Sequence, residues 1–378
     1  MKISVSVAEL TKAMNIINSV VPKKTTLPIL LNVYLQATND NKLILIATDL
    51  DVGIKLTKEC VVTEEGACTI SAKSLHDIVK ILPGPEVFLE SLDNNHVSIK
   101  SAKTSVRLLA LPCEDFPKLE FENNKEMSFE SIDAEVFVSM VQKTIYSTSA
   151  DDERYNLSGV YFEPQKEDTQ SLVMVSTDGY RLSKIKEKFK SGNLSTFQST
   201  TFPKKGLNEI LRLWDGVVDK KDKLLNIGIS ARHAVCSFDE STVFIRLIDK
   251  EYPPYNQVIP KLTDKIIKTY RQDFLLSLKR VSALAFEKSQ IVQMIIRLNE
   301  VILSYQNPEA GEVVDSIAVE YNGPDVCIGL NPRYVIDALS SIGDESILIK
   351  FTDPLSPLLI TGIKEDNHQC VIMPIRIS

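Results

Sequence analysis

The sequence predicts an α+β protein built from three similar domains, each with two helices packed on antiparallel sheets. Three observations predict this class. At 378 residues the chain exceeds the roughly 250 to 300 residues beyond which a single core rarely grows. Six helical apolar patterns recur along it, and short β-branched runs bounded by turn residues lie between them. Because these runs follow one another without long intervening helices, their strands are expected to pair antiparallel.

The six helical patterns are evenly spaced. Their first apolar residues are separated by 65, 62, 70, 67 and 60 positions, and these residues are Leu10, Leu75, Phe137, Leu207, Phe274 and Tyr334. Near-constant spacing predicts six units of one helix plus several strands, paired into three domains. We place these domains at residues 1–122, 128–250 and 256–378, with proline-containing segments at the two junctions.

Capping signals predict where the helices begin. Ser6-Val7-Ala8-Glu9 has the S-x-x-E form of a capping box, and a second helix is expected over Ser71 to Leu82, ended by a Pro-Gly pair. Asp133 can cap a third helix, Pro203 is expected in the first turn of a fourth, and Asn331-Pro332 begins the last.

The stretch VSTDGYRL, Val175 to Leu182, predicts a turn between two strands, in which Gly179 permits a sharp change of direction. The strand-like run Lys42 to Thr48 leads into the same Thr-Asp step. An aromatic residue, an arginine and a leucine follow the second turn, which is the composition of a groove that holds a peptide. A plain hairpin stays open as an interpretation.

Composition favours a globular protein of the cytosol. The chain is 44% hydrophobic and 25% charged, no apolar run reaches the roughly 18 residues of a membrane helix, and the N-terminus does not resemble a secretory signal. No C-x-x-C pair occurs, so neither a zinc ribbon nor a redox motif is indicated. Buried free thiols are expected at Cys60, Cys68, Cys113, Cys236, Cys327 and Cys370.

Signatures of catalysis are absent from the sequence. It contains no phosphate-binding loop, dinucleotide fingerprint, zinc-protease motif or nucleophile elbow. The four histidines stand apart from other metal-ligand types, so no metal or other cofactor is expected. Asp49, Asp178 and Arg181 could form an acid and a charge clamp, but an Asp after Thr at a strand end is commonly a turn-forming residue, which we favour.

Charge follows the helices. The whole chain carries a net charge of -7, which by itself argues against nucleic acid. The six helical segments nevertheless hold 13 Lys or Arg and 7 Asp or Glu, a net +6, which leaves -13 for the rest. This contrast fits either a basic surface for phosphates or solvated helix faces that happen to be basic.

Seven motifs, in order along the whole chain, resemble those of one family. They are LPIL at Leu27 to Leu30, ATDL at Ala47 to Leu50, EDFP at Glu114 to Pro117, RYNLSGVYFE at Arg154 to Glu163, STDGYRL at Ser176 to Leu182, EYPPYNQVIP at Glu251 to Pro260, and the terminal MPIRIS. In combination they resemble the bacterial DNA polymerase III beta subunit, the sliding clamp.

This resemblance implies the DNA clamp fold in a head-to-tail homodimer that closes into a ring, with twelve helices lining the hole. It implies a processivity factor without catalysis of its own, which encircles double-stranded DNA of any sequence. The expected partners are the replicative polymerase catalytic subunit, an ATP-dependent clamp loader, and other DNA polymerases and repair proteins that carry short hydrophobic clamp-binding motifs. No membrane partner is expected.

The resemblance also implies site residues. A hydrophobic partner-peptide cleft between the second and third domains would be lined by Leu157, Thr177, Gly179, Tyr180, Arg181, Leu182, Pro253, Val258, Val371, Ile372, Met373, Pro374, Ile375 and Arg376. Residues near the DNA path would be Lys24, Lys73, Tyr155, Lys205 and Arg333. Asn156, Tyr180 and Ser378 depart from the usual family pattern, which leaves contacts at Asn156 and the peptide preference open.

Two alternatives from other classes remain at this stage. One is a three-domain transferase or hydrolase centred on Asp178 and Arg181. The other is a protein-binding scaffold that never encloses DNA. For the terminal VIMPIRIS, a final sheet strand and a wall of the cleft are compatible interpretations.

Overall fold

A computed structural model describes residues 1–118, 127–283, 291–307 and 311–377. The expected boundary at residue 122 and Ser378 lie outside these ranges. The described part contains six α-helices, one for each helical pattern of the sequence: α1 (Val7–Val20), α2 (Ala72–Val79), α3 (Ala134–Thr144), α4 (Lys204–Asp215), α5 (Arg271–Ser282) and α6 (Pro332–Ser341).

One order of elements occurs three times along the chain: a strand, a helix, four strands, a helix and three strands. The first segment has one additional strand, β5, and its strands are β1 (Lys2–Ser6), β2 (Asn32–Thr38), β3 (Lys42–Thr48), β4 (Val52–Glu59), β5 (Val61–Glu64), β6 (Gly66–Ser71), β7 (Glu86–Leu92), β8 (His96–Ser101) and β9 (Thr104–Leu111).

The second and third segments follow the same order with ten elements each. The second contains β10 (Ser128–Asp133), β11 (Gly159–Pro164), β12 (Ser171–Thr177), β13 (Arg181–Lys188), β14 (Thr200–Pro203), β15 (Leu224–Ile229), β16 (His233–Phe238) and β17 (Ser241–Arg246). The third contains β18 (Lys265–Tyr270), β19 (Val292–Arg297), β20 (Glu300–Asn307), β21 (Gly311–Ala318), β22 (Val326–Leu330), β23 (Ser346–Phe351), β24 (Leu358–Gly362) and β25 (His368–Ile372).

Contacts between residues divide the chain into two compact units. The first comprises Met1–Val138, Lys190–Gln198 and Lys205–Leu247. Its described strands form one antiparallel sheet of thirteen in the order β10-β15-β16-β17-β4-β3-β2-β6-β9-β8-β7-β1-β5. Within this sheet β4 of the first segment pairs with β17 of the second, with Val52 opposite Ile245.

The second unit comprises Ser139–Phe189, Ser199–Lys204 and Ile248–Ser378. Its described strands form an eight-stranded antiparallel sheet, β14-β11-β12-β13-β25-β24-β23-β18, and a four-stranded one, β21-β20-β19-β22. Here β13 of the second segment pairs with β25 of the third, with Arg181 opposite Ile372.

A common rule therefore joins neighbouring segments in both units. The third strand after the first helix of one segment (β4 or β13) pairs with the last strand of the next (β17 or β25). We call each of these pairings an inter-segment ladder. Each ladder therefore makes the strands of two adjacent segments part of one continuous sheet.

The helix starts follow the capping signals. Ser6, Asp133 and Asn331 each accept a hydrogen bond from a backbone N–H in the first turn, at 3.5, 3.1 and 3.0 Å respectively. Two expected boundaries are wrong. Helix α2 stops at Val79, because the N–H groups of Ile81 and Leu82 bond to carbonyls only three residues back, and Pro203 ends β14 instead of lying in α4.

Buried thiols were also expected at all six cysteines. Cys68, Cys236 and Cys370 are buried, whereas Cys60 and Cys113 are half-buried. Cys327 is exposed, since it lies on β22 at an edge of the four-stranded sheet. The expectation is wrong for Cys327.

Candidate functional site

The predicted turn connects β12 to β13 and is held by its own side chains. The Thr177 hydroxyl donates to the Arg181 carbonyl at 2.6 Å and accepts from the Gly179 N–H at 3.1 Å. Asp178 Oδ1 accepts from the N–H groups of Tyr180 and Arg181 at 2.9 and 3.0 Å. Gly179 has φ +89°, a conformation that other residues rarely adopt. The turn prediction is confirmed.

Arg181 is the electrostatic centre of this region. Its guanidinium donates to Asp178 Oδ2 at 3.0 Å, to Asp337 Oδ2 at 2.6 Å and to the Tyr146 carbonyl at 2.8 Å. It also lies 4.6 Å from the centre of the Tyr334 ring. Burial disfavours its charge, but hydrogen bonding and charge from Asp337 and Asp178 raise the Arg181 pKa. Arg181 is therefore a fixed structural cation and is not available to reach out to a ligand.

An apolar cluster lies beside the turn within the second unit. It consists of Leu157, Val173, Val175, Leu182, Tyr252, Tyr255, Leu359 and Val371, with Tyr161 and Ile259 packed against it. The rings of Tyr161 and Tyr252 stack at 4.8 Å with an interplanar angle of 8°. This cluster makes a rigid apolar floor.

Large side chains stand exposed at the edge of that floor. Tyr180 is 54% exposed, Val258 45% and Met373 37%. The Met373 N–H donates to the Tyr180 carbonyl at 2.9 Å, which continues the β13–β25 ladder past the last strand. Arg154 lies over the Tyr180 ring at 5.5 Å and donates to the Asp178 carbonyl at 2.8 Å. Exposed apolar groups around a rigid floor are typical of a peptide-binding surface.

Polar groups border the floor on the side of Tyr255. The Tyr255 hydroxyl donates to Glu163 Oε2. Burial, followed by this hydrogen bond, raises the Tyr255 pKa, so the hydroxyl stays protonated. Lys184 Nζ lies 5.4 Å from the Tyr255 ring and donates to Asn256 Oδ1 at 3.2 Å, and burial lowers the Lys184 pKa.

The structure brings most of the expected cleft residues together in one unit. Leu157, Leu182 and Val371 belong to the floor. Pro253, Pro374 and Ile375 are half-buried, and Arg376 is exposed. Ile372 behaves differently: strand alternation turns it into the core of the third segment, where it is 1% exposed.

Sequence reasoning missed several residues of this site. Tyr252 and Tyr255 lie inside the EYPPYNQVIP motif, so their aromatic character was a usable signal. Asp337 and Tyr146 offered no such signal, because Asp337 meets Arg181 across 156 positions and Tyr146 contributes its backbone carbonyl.

The residues expected near DNA are all on the surface. Lys24, Lys73, Lys205, Arg333 and Tyr155 are exposed. Lys205 Nζ forms an ion pair with Asp49 Oδ2, and burial lowers the Lys205 pKa. This lysine thus has an intramolecular partner that competes with any phosphate.

The Asp178 carboxylate is fully used by its own turn. Both oxygens accept hydrogen bonds, which suits a structural role better than acid–base chemistry. Among the described residues, no three His, Cys, Asp or Glu side chains form a group that could hold a metal ion. None of the described helices has the length and apolar character needed to span a bilayer.

Comparison with known proteins decides the family. Models of the DNA polymerase III beta subunit match in three parts: the N-terminal domain over residues 1–120, the central domain over 131–254 and the C-terminal domain over 256–376. The beta sliding clamp of Caulobacter vibrioides (strain NA1000 / CB15N) is 30% identical over 380 residues, 100% of both chains. This chain belongs to the beta sliding clamp family. The clamp of Escherichia coli K12 is 29% identical over 379 residues, again 100% of both.

Solved structures agree with this assignment. A crystal structure of the Caulobacter crescentus beta sliding clamp has a TM-score of 0.93 and 28% identity, covering 100% of this chain and 99% of that one. The Bartonella birtlesii clamp, solved with bound griselimycin, also has a TM-score of 0.93 and 28% identity, with 100% coverage of both. The family resemblance and the architecture of three α+β domains are confirmed, and the family is that of the DNA polymerase III processivity factor.

Replacing Asp178 tests its structural role. Asp178→Ala is expected to lower the free energy of unfolding by about 1–3 kcal/mol, because two backbone N–H groups and the Arg181 guanidinium lose an acceptor. Urea denaturation measures the change. Exposed Asp366→Ala is the matched control and is expected to stay within about 0.5 kcal/mol of the parent chain. Unchanged stability in Asp178→Ala would contradict the assignment.

Proposed function

We propose that two copies of this chain close head to tail into a ring around duplex DNA, and that the ring tethers the replicative polymerase through the cleft beside Thr177–Leu182. The chain itself performs no catalysis. The observation that carries the proposal is the inter-segment ladder, which occurs twice within the chain. Two strands equivalent to those in the ladders, β21 and β9, keep an edge that no described strand of the same chain pairs along its length.

The two remaining edges are the equivalents of strands already paired. By order in the segment, β21 corresponds to β4 and β13, and β9 corresponds to β17 and β25. Among the described strands, β21 pairs only with β20, and residues 104–109 of β9 pair only with β8. Leu109 on β9 is 64% exposed and Val314 on β21 is 56% exposed. Open apolar edges of this kind favour pairing with another chain.

A second copy supplies the missing partner for each edge. If β21 of one copy pairs with β9 of the other, the third strand after the first helix of every segment pairs with the last strand of the next segment, within a copy or between copies. The contact is head to tail, so two such contacts close a symmetric dimer. The proposed domain limits stay those expected from the helix spacing, residues 1–122, 128–250 and 256–378, and the family-model ranges 1–120, 131–254 and 256–376 support them.

Charge placed on both edges is expected to separate the dimer. Leu109→Asp with Val314→Asp puts like charges into the proposed ladder, where they repel and must be desolvated. Light scattering after gel filtration is expected to give the chain mass of 42.3 kDa for this variant and twice that mass for the parent.

Val218→Asp is the matched control, because Val218 is fully exposed and lies outside both edges. It is expected to remain dimeric. A double variant that keeps the parent mass would overturn the β9–β21 contact.

Contact with DNA would be diffuse. Lys24, Lys73 and Arg333 are exposed cations on or beside the helices. Lys205 forms an ion pair with Asp49, which reduces its attraction for phosphate. Scattered, partly neutralised charges bind phosphates weakly and without reading sequence, which lets a ring slide.

Reversing three of these charges is expected to weaken binding to a short duplex at low salt. Each lost phosphate contact reduces the slope of log K against log salt by about 0.9, so the slope of Lys24→Glu, Lys73→Glu, Arg333→Glu is expected to fall by up to about 3. Fluorescence anisotropy across a salt series measures it. The matched control is a variant with the same charge change at three other exposed lysines, Lys103→Glu, Lys166→Glu, Lys221→Glu. Equal slopes in both variants would favour a scaffold that does not enclose DNA.

The cleft would take short hydrophobic motifs. Its rigid floor and the exposed Tyr180, Val258 and Met373 offer apolar anchoring at a low entropic cost. Expected partners are the replicative polymerase, an ATP-dependent clamp loader, and other DNA polymerases and repair proteins in the cytoplasm. The griselimycin-bound relative supports ligand binding by clamps of this family.

Truncating two side chains at the edge of the cleft tests whether it binds partners. Met373→Ala with Pro374→Ala is expected to weaken binding of the polymerase catalytic subunit by about tenfold or more, since anchor residues typically contribute above 1 kcal/mol each. Surface plasmon resonance measures the affinity, and the native mass is expected to stay that of a dimer. The control is Leu298→Ala, because Leu298 is also exposed but lies on another turn, outside the cleft. Unchanged affinity would count against the cleft.

A further inference from the structure

A second groove lies in the first unit, at the β4–β17 ladder. It encloses about 420 Å³ and is lined by Thr48, Leu50, Asp51, Gly53, Pro117, Lys118, Arg232, His233, Phe244 and Arg246. We call it the N-terminal groove. Its volume is in the range of sites that hold small ligands or a few peptide residues.

The Thr-Asp turn at this groove has the same hydrogen-bond pattern as the turn at the cleft. The Thr48 hydroxyl donates to the Val52 carbonyl at 2.9 Å, as Thr177 does to Arg181. Asp49 Oδ1 accepts from the N–H groups of Asp51 and Val52 at 3.1 and 2.8 Å, which is the pattern of the Asp178 turn.

Residue correspondence extends to the strand opposite. The Arg246 N–H donates to the Asp51 carbonyl at 2.8 Å, just as the Met373 N–H donates to the Tyr180 carbonyl at 2.9 Å. Arg246 therefore occupies the position of Met373, and Asp51 that of Tyr180. The same register puts Phe244 opposite Gly53, where the cleft has Val371 opposite Leu182.

The chemistry of the two sites has diverged. Lys118, Arg232 and Arg246 are exposed cations at the N-terminal groove, whereas the cleft presents apolar side chains at its edge. Arg246 Nη1 lies 3.8 Å from Asp51 Oδ1, and both side chains are about two-thirds exposed, at 64% and 66%. Solvent screens such a pair, so a ligand can compete with it.

We propose that the N-terminal groove binds a short acidic peptide segment of a partner protein. Among the described lining residues, the exposed cations Lys118 and Arg246 outnumber the one carboxylate, Asp51, and this excess favours a negatively charged ligand. Among the described lining residues there is no exposed phenyl, phenol or indole ring on which bases could stack, which favours a peptide over nucleic acid. The phenyl ring in the described lining, Phe244, is only 3% exposed and presents no stacking platform for bases.

The probe is a fluorescein-labelled peptide of four glutamates around one leucine and one phenylalanine, with a glutamine version as its uncharged counterpart. Anisotropy at about 50 mM salt is expected to detect binding of the acidic peptide alone, and binding is expected to fall as salt rises. In Lys118→Glu with Arg246→Glu the affinity is expected to drop by about tenfold or more. Lys103→Glu with Lys221→Glu carries the same charge change at exposed sites outside the groove.

Several results would overturn the proposal. They are equal binding of both peptides, equal losses in the two charge-reversal variants, and displacement of the acidic peptide by an equal concentration of a thymidine hexanucleotide, which would indicate nucleic acid instead. Met373→Ala with Pro374→Ala is expected to leave the acidic peptide bound. That variant separates this groove from the cleft, so either proposal can fail alone.

Discussion

Pairing of strand edges is the constraint on which the rest of this structure depends. Each segment carries a third strand and a last strand whose edges need partners, and the inter-segment ladders pair β4 with β17 and β13 with β25. Each ladder also brings the Thr-Asp turn of one segment next to the end of the following segment's last strand. The N-terminal groove lies at the β4–β17 ladder, and the exposed Tyr180 and Met373 lie at the equivalent place on the β13–β25 ladder.

Side chains then decide what each groove can hold. The backbone hydrogen bonds at Asp51–Arg246 and Tyr180–Met373 are nearly identical in length, at 2.8 and 2.9 Å. One pair is charged and the other is apolar with exposed surface. Duplicated backbone geometry with divergent side chains accounts for the two different ligands proposed, hydrophobic motifs at one ladder and a negatively charged peptide at the other.

Local signals predicted much of this architecture. Helical periodicity and caps such as Asn331 depend on neighbouring residues, and so does the Thr177–Asp178 turn, which is why they could be derived from sequence. Contacts across distant parts of the chain could not. Asp337 meets Arg181 only because β13 and β25 pair, and the inward orientation of Ile372 depends on which face of the sheet the third core covers.

The turn aspartates also connect each groove to a helix. Asp49 Oδ1 holds its turn while Oδ2 pairs with Lys205 on α4. Asp178 Oδ2 accepts a hydrogen bond from the Arg181 guanidinium, which also donates to Asp337 on α6. In both units the second helix of the following segment is thus tied electrostatically to the turn that shapes the groove. Because α4 and α6 belong to the helices proposed to face DNA, each of these ion pairs links a Thr-Asp turn to a helix of the proposed DNA-facing surface.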